Sequence, residues 1–207
     1  MTRHLRDLDA GLLPDLPLPC RACVFWESAS APRGPTPDGN AAKEAWMQAT
    51  QLDWGPPGKA CYVGDELIGF GVLTPGRHAG RVRRLGSSVS DDALLLATLW
   101  VAPDARGAGV ARLLLQALLR ETHQRGGRAL EAYGARGERN QGPCVLPEAF
   151  LLVNGFSVLY DDAQFPLLRL ELRHTARWAD SLKDALESVL GALRGRRAPV
   201  PVRSSPG

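Results

Sequence analysis

Two glycines separated by one residue, shortly after a proline that ends an apolar run, are the strongest chemical signal in this sequence. They are Gly107 and Gly109, within the segment Arg106–Ala111. Glycine lets a backbone turn closely enough for several amides to point at one anion. A helical pattern follows, and a helix N-terminus adds unpaired N–H groups and a positive dipole end. The segment predicts a pyrophosphate cradle, with a plain helix-starting turn as the alternative.

Two other phosphate motifs compete for the same glycines. A P-loop requires Gly-Lys-Ser/Thr after its first glycine and four residues, and no lysine follows here. The dinucleotide fingerprint shares Gly107-x-Gly109 and has Glu131 about 20 residues further on. Its third small position is occupied by Arg112, where a helix and a strand should pack closely. These differences disfavour both rivals.

The elements around the turn form one strand–helix–strand unit. Leu94–Val101 is the most apolar run of the chain, which predicts a central strand of a covered sheet. Val110–Arg125 has a helical period and Arg128–Tyr133 predicts the next strand. Together they predict a βαβ crossover that carries the glycine turn.

The remaining patterns predict more strands than helices. Val24–Trp26 is rich in residues that favour strands. Ala41–Leu52 predicts a helix with one apolar face formed by Ala45, Trp46, Ala49 and Leu52. Other predicted elements are a hairpin of two strands, a short helix and two further strands, at Lys59–Val63, Leu67–Thr74, Pro147–Val153, Phe156–Tyr160 and Leu167–Leu172. The predicted class is α/β (α+β), with a mixed, largely antiparallel central sheet and one βαβ crossover.

Composition divides the chain into one main domain and short appendages. Residues 1–19 predict an N-terminal arm and residues 20–174 the main domain. Residues 175–194 carry an apolar residue every three or four positions, which predicts an amphipathic C-terminal helix. That helix packs on its own domain or forms a homodimer contact. Residues 195–207 are rich in Pro, Ser and Arg and predict a disordered basic tail.

Charge and hydropathy narrow the function classes. The 25 Lys and Arg residues nearly balance the 22 Asp and Glu residues, which argues against a surface built to coat nucleic acid. No apolar run approaches the length of a membrane span, and the charged beginning of the chain is not a secretory signal. A soluble, cytoplasmic protein is expected.

Cys20 and Cys23 have the spacing of half a zinc site or of a redox pair. Cys61 and Cys144 are single residues rather than a second pair, so a zinc site would lack its other half. The favoured interpretation is two reduced, partly buried thiols.

The chain from about Val24 to Leu172 resembles the GCN5-related N-acetyltransferase (GNAT) superfamily. The family's motif Arg/Gln-x-x-Gly-x-Gly/Ala is matched by Arg106, Gly109 and Ala111. Its preceding hydrophobic-x-Val-x-Pro strand is matched by Leu99, Val101 and Pro103. The Gly155-Phe156 pair fits the family's last helix-to-strand junction. Leu18–Glu27 further resembles a poorly characterised actinobacterial branch.

The resemblance implies an acetyl-CoA-dependent acyltransferase that acetylates a primary amine of a small molecule or protein. The pantetheine arm would lie along the backbone of Leu99 and Val101, in a gap beside the central strand. The pyrophosphate would bind at the turn, and the predicted residues there are Arg106, Gly107, Ala108, Gly109, Val110 and Ala111. No metal is implied.

The residues for proton transfer are harder to assign. Many relatives have a tyrosine five residues before the final Phe of the Gly-Phe pair, and here that position is Leu151. Tyr133 is the candidate acid and Glu131 the candidate base, with Cys144 and Tyr160 as weaker substitutes for the acid. Two alternatives remain: a non-catalytic acyl-CoA-binding module, and an interaction or nucleic-acid-associated protein that uses the C-terminal helix and the Arg-rich tail.

Overall fold

The computed structural model describes residues 2–137 and 144–172. The strands of this part of the chain are β1 (Arg3–Asp7), β2 (Gly58–Val63), β3 (Glu66–Thr74), β4 (Ala93–Val101), β5 (Ala129–Ala135), β6 (Leu146–Pro147), β7 (Ser157–Tyr160) and β8 (Leu167–Glu171). The α-helices are α1 (Leu18–Arg21), α2 (Gly39–Asp53), α3 (Val110–Gln124) and α4 (Glu148–Val153). Short 3-10 helices occupy Ala10–Asp15, Gly76–His78, Gly80–Arg84 and Pro103–Ala105.

The described strands form one mixed sheet in the order β1-β2-β3-β4-β5-β8-β7, with β6 added beside β5. The pairs β4–β5 and β5–β6 are parallel and the other described pairs are antiparallel. Helix α3 joins the parallel strands β4 and β5. The predicted fold class and its βαβ crossover are therefore confirmed.

The two faces of the sheet bury different elements. Helices α3 and α4 cover one face, where Leu115, Leu118 and Leu151 pack with residues of β5 and β8. The other face is covered by α2 and the segment before it, with Trp26 and Met47 in the same core as the sheet residues Phe70, Tyr133 and Leu167. The strongly apolar β4 contributes to both cores, as a central strand must.

The first strand is not where the sequence places it. Val24–Trp26 contains no strand and leads into a turn, although its side chains are at most 7% exposed. Its bulky residues reflect burial in the core rather than sheet pairing. Instead Arg3–Asp7, inside the predicted arm, pairs antiparallel with β2 as an edge strand. All five of its residues are exposed, so no alternation of apolar side chains marks it in the sequence.

The buried face of α2 also differs from its prediction. Leu52 is 89% exposed, whereas Lys43, Met47 and Thr50 are buried and Trp46 packs beside them. The helix turns Lys43 inward because the carboxylate of Glu27 pairs with it, which apolar periodicity cannot indicate.

Predictions for the C-terminal helix at 175–194 and the tail at 195–207 lie outside the described residues. Within the described part, no helix is both long and apolar enough to cross a membrane.

Candidate active site

Strand β4 loses its neighbour on one side halfway along its length. It pairs with β5 only at Ala93, Leu94 and Leu95, whereas β3 stays paired with it as far as Val101. No described strand replaces β5 beyond Leu95. The second half of β4 therefore has an open edge that faces a gap between β4 and β5.

A bulge in β4 accompanies this divergence. Thr98 lies opposite Val72 and Leu96 opposite Leu73, which leaves Ala97 as an extra residue in β4. A bulge bends its strand and increases the local twist. Since the bulge follows the last β4–β5 pair within two residues, we attribute the opening of the gap to it.

The backbone groups of Leu99 and Val101 point to the open edge. The Ala102 N–H donates to the Ile68 carbonyl oxygen at 3.0 Å, so Ala102 faces β3. In an antiparallel pair, successive residues alternate between facing their partner strand and facing away. Arg106 agrees with this direction, because its Nε donates to the Val101 carbonyl oxygen at 3.4 Å.

The glycine turn joins this open edge to α3. Gly107 and Gly109 have φ angles of 74° and 81°, in the left-handed region that favours glycine. A Cβ at either position would meet no atom within 4 Å, so backbone conformation rather than crowding requires glycine here. The turn is exposed and has open space in front of it.

The first turn of α3 presents amide groups to this space. Gly109 is the N-cap, without a side chain to accept a hydrogen bond, and no acidic residue lies in the first turn. The Leu113 N–H already donates to the Gly109 carbonyl oxygen at 3.0 Å. The preceding amides of Val110 and Ala111 have no intrahelical acceptor by geometry. Together with the dipole of this 15-residue helix, they favour an anion at the turn.

Tyr133 lies on β5 two residues beyond its last pair with β4, on the face opposite α3. Its side chain is buried, its ring stacks on Trp26 at 5.8 Å between centroids, and its hydroxyl donates to the Ser87 carbonyl oxygen at 2.6 Å. Burial raises the pKa of Tyr133 to about 12. The hydroxyl is therefore a hydrogen-bond donor throughout the neutral range.

Glu131 lies at the closed end of the gap, opposite Leu95. Its side chain is fully buried, Oε2 accepts from the Ser90 N–H at 2.9 Å, and Oε1 accepts from Arg169 at 2.8 Å. Arg169 also pairs with Asp92 and Glu171. Both carboxylate oxygens of Glu131 are thus engaged in a network that ties β5 to β8 and to the segment before β4.

The comparison with protein families agrees with this geometry. Residues 23–141 match the model of the acetyltransferase (GNAT) family, which is more than half of the 207-residue chain. The chain belongs to this family. The matched range of the GNAT domain contains β4, the glycine turn, α3 and β5. No curated protein matches the chain in sequence.

Solved structures share the fold of this GNAT domain at low sequence identity. The N-acetyltransferase of Staphylococcus aureus Mu50 has a TM-score of 0.56 and 18% identity over 83% of this chain and 99% of its own. YncA, a putative acetyltransferase of Salmonella typhimurium with its cofactor acetyl-CoA, has a TM-score of 0.56 and 16% identity over 83% and 95%. The PaiA N-acetyltransferase of Thermoplasma acidophilum, in complex with coenzyme A, has a TM-score of 0.55 and 15% identity over 83% of this chain and 99% of its own.

The GNAT domain lacks the hydroxyl that the resemblance leads one to expect on α4. Leu151 is fully buried and packs with Phe156 in the α3 and α4 core. Of the proposed substitutes, Tyr160 is 45% exposed on β7. Cys144 is buried near Trp26, whose indole Nε1 donates to its carbonyl oxygen at 2.5 Å. The structure brings Tyr133, Trp26 and Cys144 together and leaves Tyr160 at the surface.

Sequence reasoning missed a buried ion pair on the same face of the sheet. Lys43 donates to Glu27 Oε1 at 2.5 Å, and the Glu27 side chain is only 6% exposed. Within the described residues Glu27 Oε2 has no hydrogen-bond partner, and Glu27 lines a cavity of about 20 Å³ together with Thr98 of β4. Such a volume holds one water molecule. Neither Lys43 nor Glu27 belongs to a recognisable motif. The pair becomes apparent only from the packing of α2, which buries Lys43.

Three cysteine residues line this same cavity. Cys23 lies 2.8 Å from Cys144 between sulfur atoms, and Cys20 lines the cavity with them. A hydrogen bond from the Cys144 thiol lowers the pKa of Cys23 and raises that of Cys144. Cys23 thus has its close contact with Cys144, 121 positions away, rather than with Cys20 of the Cys-x-x-Cys segment. Within the described residues, no group of three metal-ligating side chains has the geometry of a metal site.

Proposed function

We propose that this GNAT protein is an acetyl-CoA-dependent N-acetyltransferase that acetylates a primary amine of a small molecule or protein. The observation that carries the proposal is the open edge of β4 running directly into the glycine turn at the start of α3. That geometry offers one strip of backbone for an extended arm and one cradle for an anion, in the order in which pantetheine and pyrophosphate occur in CoA. Relatives of the same fold described with coenzyme A and acetyl-CoA support it.

The donor would bind chiefly through backbone groups. The outward N–H and C=O groups of Leu99 and Val101 would pair with the amides of the pantetheine arm, as an added strand pairs with a sheet edge. The pyrophosphate would accept hydrogen bonds from the amides between Gly107 and Ala111. Arg106 would add its charge to the cradle, after releasing the Val101 carbonyl oxygen that its Nε now holds.

The amine would attack the thioester carbonyl directly, from the face of the sheet opposite α3. Binding both partners in the gap supplies orientation, and a backbone N–H on the β4 edge would stabilise the oxyanion that develops. An alkylamine is largely protonated at neutral pH, so its proton must leave before attack. The reaction then needs one group that accepts this proton and one that stabilises the departing thiolate.

Tyr133 is the better placed of the two predicted catalytic residues. We assign it as the hydrogen-bond donor to the departing sulfur. Full proton transfer would be uphill, because a phenol whose pKa is about 12 is a weaker acid than a thiol with a pKa of roughly 8.5. Since the hydroxyl has one proton, it would exchange the Ser87 carbonyl for the sulfur when the donor binds.

For the base, Glu27 competes with Glu131. Glu131 has both oxygens engaged, whereas Glu27, which lines a cavity of water size, has one buried oxygen without a partner among the described residues. A water there would relay a proton from the amine to Glu27. Glu27→Gln should therefore lower kcat at least tenfold, and Glu131→Gln should change kcat less than about threefold. The reverse pattern would assign the base to Glu131.

The second candidate function is an acyl-CoA-binding module without turnover, which Leu151 at the usual tyrosine position favours. Calorimetry and thiol release separate the candidates. We expect saturable binding of acetyl-CoA below millimolar concentration, and amine-dependent release of CoA thiol across a panel of primary amines. Binding without release would favour the module, and no binding would exclude both.

A further inference from the structure

A positively charged cavity opens on the face of the sheet opposite α3. It has a volume of about 400 Å³, within the range of small-molecule sites. We call it the arginine cavity; its lining residues are Phe25, Arg33, Arg81, Arg84, Leu85, Gly86, Asp162, Gln164 and Phe165. The described lining residues include three arginines, two phenylalanines and one acidic residue.

Arg81 is fixed at the edge of this cavity without using an acidic partner among the described residues. Its Nε donates to the Phe25 carbonyl oxygen at 3.2 Å, and its Nη2 donates to the carbonyl oxygen of Ala31. Burial lowers the pKa of Arg81, and the charges of Arg33 and Arg84 lower it further. Because these guanidinium groups repel one another, the positive potential between them favours an anion.

Asp162 offsets only part of this charge. Its Oδ1 accepts from the backbone N–H groups of Gln164 and Phe165 at 2.8 and 2.7 Å, so the carboxylate is used to fold its own turn. These backbone hydrogen bonds lower the pKa of Asp162, and the charge of Arg136 lowers it further. Among the described lining residues, three are cationic and one is anionic, which gives this part of the lining a net positive charge.

The phenylalanine rings add an apolar surface to the charge. The Arg81 guanidinium lies 4.3 Å from the centre of the Phe25 ring, and that of Arg33 lies 4.9 Å from the Phe165 ring. Stacking on a ring holds a guanidinium plane in one orientation. The lining thus suits a ligand that has both an anionic group and an apolar part.

The arginine cavity adjoins the candidate chemistry on Tyr133. Gly86 lines the cavity, and the next residue, Ser87, accepts the hydrogen bond from the Tyr133 hydroxyl. Phe25 also lines the cavity, its ring contacts Trp26 edge-on at 5.2 Å, and Trp26 stacks on Tyr133. Phe25 and Trp26 therefore lie between the cavity and the Tyr133 ring, whereas the Tyr133 hydroxyl contacts the residue directly after the lining residue Gly86.

We propose that the arginine cavity binds an anionic group of the acceptor, so that the acceptor is a small primary amine that also carries a carboxylate or a phosphate. This inference rests on the proposed acetyltransferase function and deepens it. Arg84 and Arg81 hold the anionic group, and the rings of Phe25 and Phe165 contact the apolar part. The amine then extends towards Tyr133 and the gap beside β4.

Matched pairs of amines test the proposal in a thiol-release assay: phenethylamine with phenylalanine, and ethanolamine with phosphoethanolamine. The anionic member of at least one pair should have a kcat/KM at least tenfold higher than its neutral partner. Comparable rates within both pairs, or faster neutral members, would overturn the proposal. The carboxylate and phosphate pairs distinguish the two anionic groups.

Two neighbouring arginines provide the variant and its control. Arg84→Gln removes a charge from the arginine cavity and should abolish the preference for the anionic amine, a loss of about tenfold or more for a hydrogen bond to a charged group. Arg83→Gln removes the same charge one position away, where the side chain lines a different cavity, and should retain the preference. If the two substitutions reduced the preference equally, the preference would come from the overall charge of the protein, and the arginine cavity would not be the binding site.

A binding measurement keeps this test separate from turnover. Phenyl phosphate, titrated by calorimetry at low salt without acetyl-CoA, should bind the wild-type protein and Arg83→Gln alike, and Arg84→Gln at least about tenfold more weakly. Absence of saturable binding would overturn the arginine cavity as an anion site. If the proposed acetyltransferase function is wrong, calorimetry will instead detect no binding of acetyl-CoA to the wild-type protein.

Discussion

The proposed donor and acceptor sides of this molecule consist of different parts of the chain. The donor side consists of backbone: two glycines with positive φ, the first turn of a helix and an open strand edge. The acceptor side consists of side chains that come from distant parts of the chain, such as Trp26 against Tyr133 and Arg81 against Phe25. A backbone site demands particular local residues, whereas a side-chain site demands only that the fold bring its parts together.

The largest effect should follow from placing a charge in the donor turn. Gly109→Asp adds a negative side chain where we propose that the pyrophosphate binds, and it imposes a left-handed φ of 81° on a residue with a Cβ. We expect at least about 100-fold weaker acetyl-CoA binding by calorimetry, because like charges in contact cost several kcal/mol.

Gly126→Asp is the matched control for this change. Gly126 has a φ of 79° and equally open space, but it lies just beyond the opposite end of α3. The control should lose at least as much stability, because its carboxylate lies at the negative end of the helix dipole, and should bind acetyl-CoA normally. If both variants bound alike, the anion site would not be at the turn.

On the acceptor side, Tyr133→Phe should lower kcat at least tenfold and leave the KM for acetyl-CoA nearly unchanged. The substitution removes the hydroxyl and keeps the ring that stacks on Trp26. Since the pKa of Tyr133 is about 12, its loss of the proton should not reduce the wild-type rate below about pH 11. The kinetic constants and the pH–rate profile check both statements.

Tyr62→Phe controls for the loss of a buried phenol. Tyr62 is equally buried, and its hydroxyl donates to Asp15 at 2.7 Å, near the opposite edge of the sheet. It should lose comparable stability and keep kcat. A similar fall in kcat for both variants would mean that Tyr133 acts only through folding.

Glu131→Gln should affect stability more than catalysis. The substitution removes one of three carboxylates around Arg169, which keeps its contacts with Asp92 and Glu171. We expect a loss of about 1–3 kcal/mol in the free energy of unfolding, as for a buried hydrogen bond to a charged group. The kcat of the folded variant should change less than about threefold, measured beside chemical denaturation. A tenfold fall in kcat would restore Glu131 as a catalytic residue.

The smallest effect should follow from truncating a side chain on the β4 edge. Val101→Ala keeps the backbone groups that would hold the pantetheine arm and removes two methyl groups from a half-buried position. Acetyl-CoA affinity should change less than about threefold by calorimetry. A tenfold loss of affinity would show that acetyl-CoA depends on side chains at the β4 edge, which would contradict a donor side formed by backbone groups.

The same contrast explains what the sequence could predict. The turn at Arg106–Ala111, the strand before it and the helix after it are local patterns, and the structure has all three. The sequence did not predict β1, because every residue of this edge strand is exposed and only its pairing with β2 defines it. Val24–Trp26 suggested a strand because burial selects the same bulky residues as sheet pairing does.

The acceptor side is invisible in the sequence for a related reason. Lys43 lies inside a helix and Glu27 in a turn, so their buried ion pair follows only from how α2 packs. The residues of the arginine cavity come from three stretches of chain, around 25–33, 81–86 and 162–165. Such contacts between distant segments carry no spacing that a single sequence can reveal.

The most direct measurement of the central claim is the change in backbone amide NMR shifts of the wild-type protein on addition of acetyl-CoA. The donor assignment predicts the largest shifts at Gly107, Gly109, Val110 and Ala111, with a second group at Leu99 and Val101 on the open edge of β4. Saturable shifts confined to other parts of the sheet, or no shifts at millimolar acetyl-CoA, would contradict the assignment.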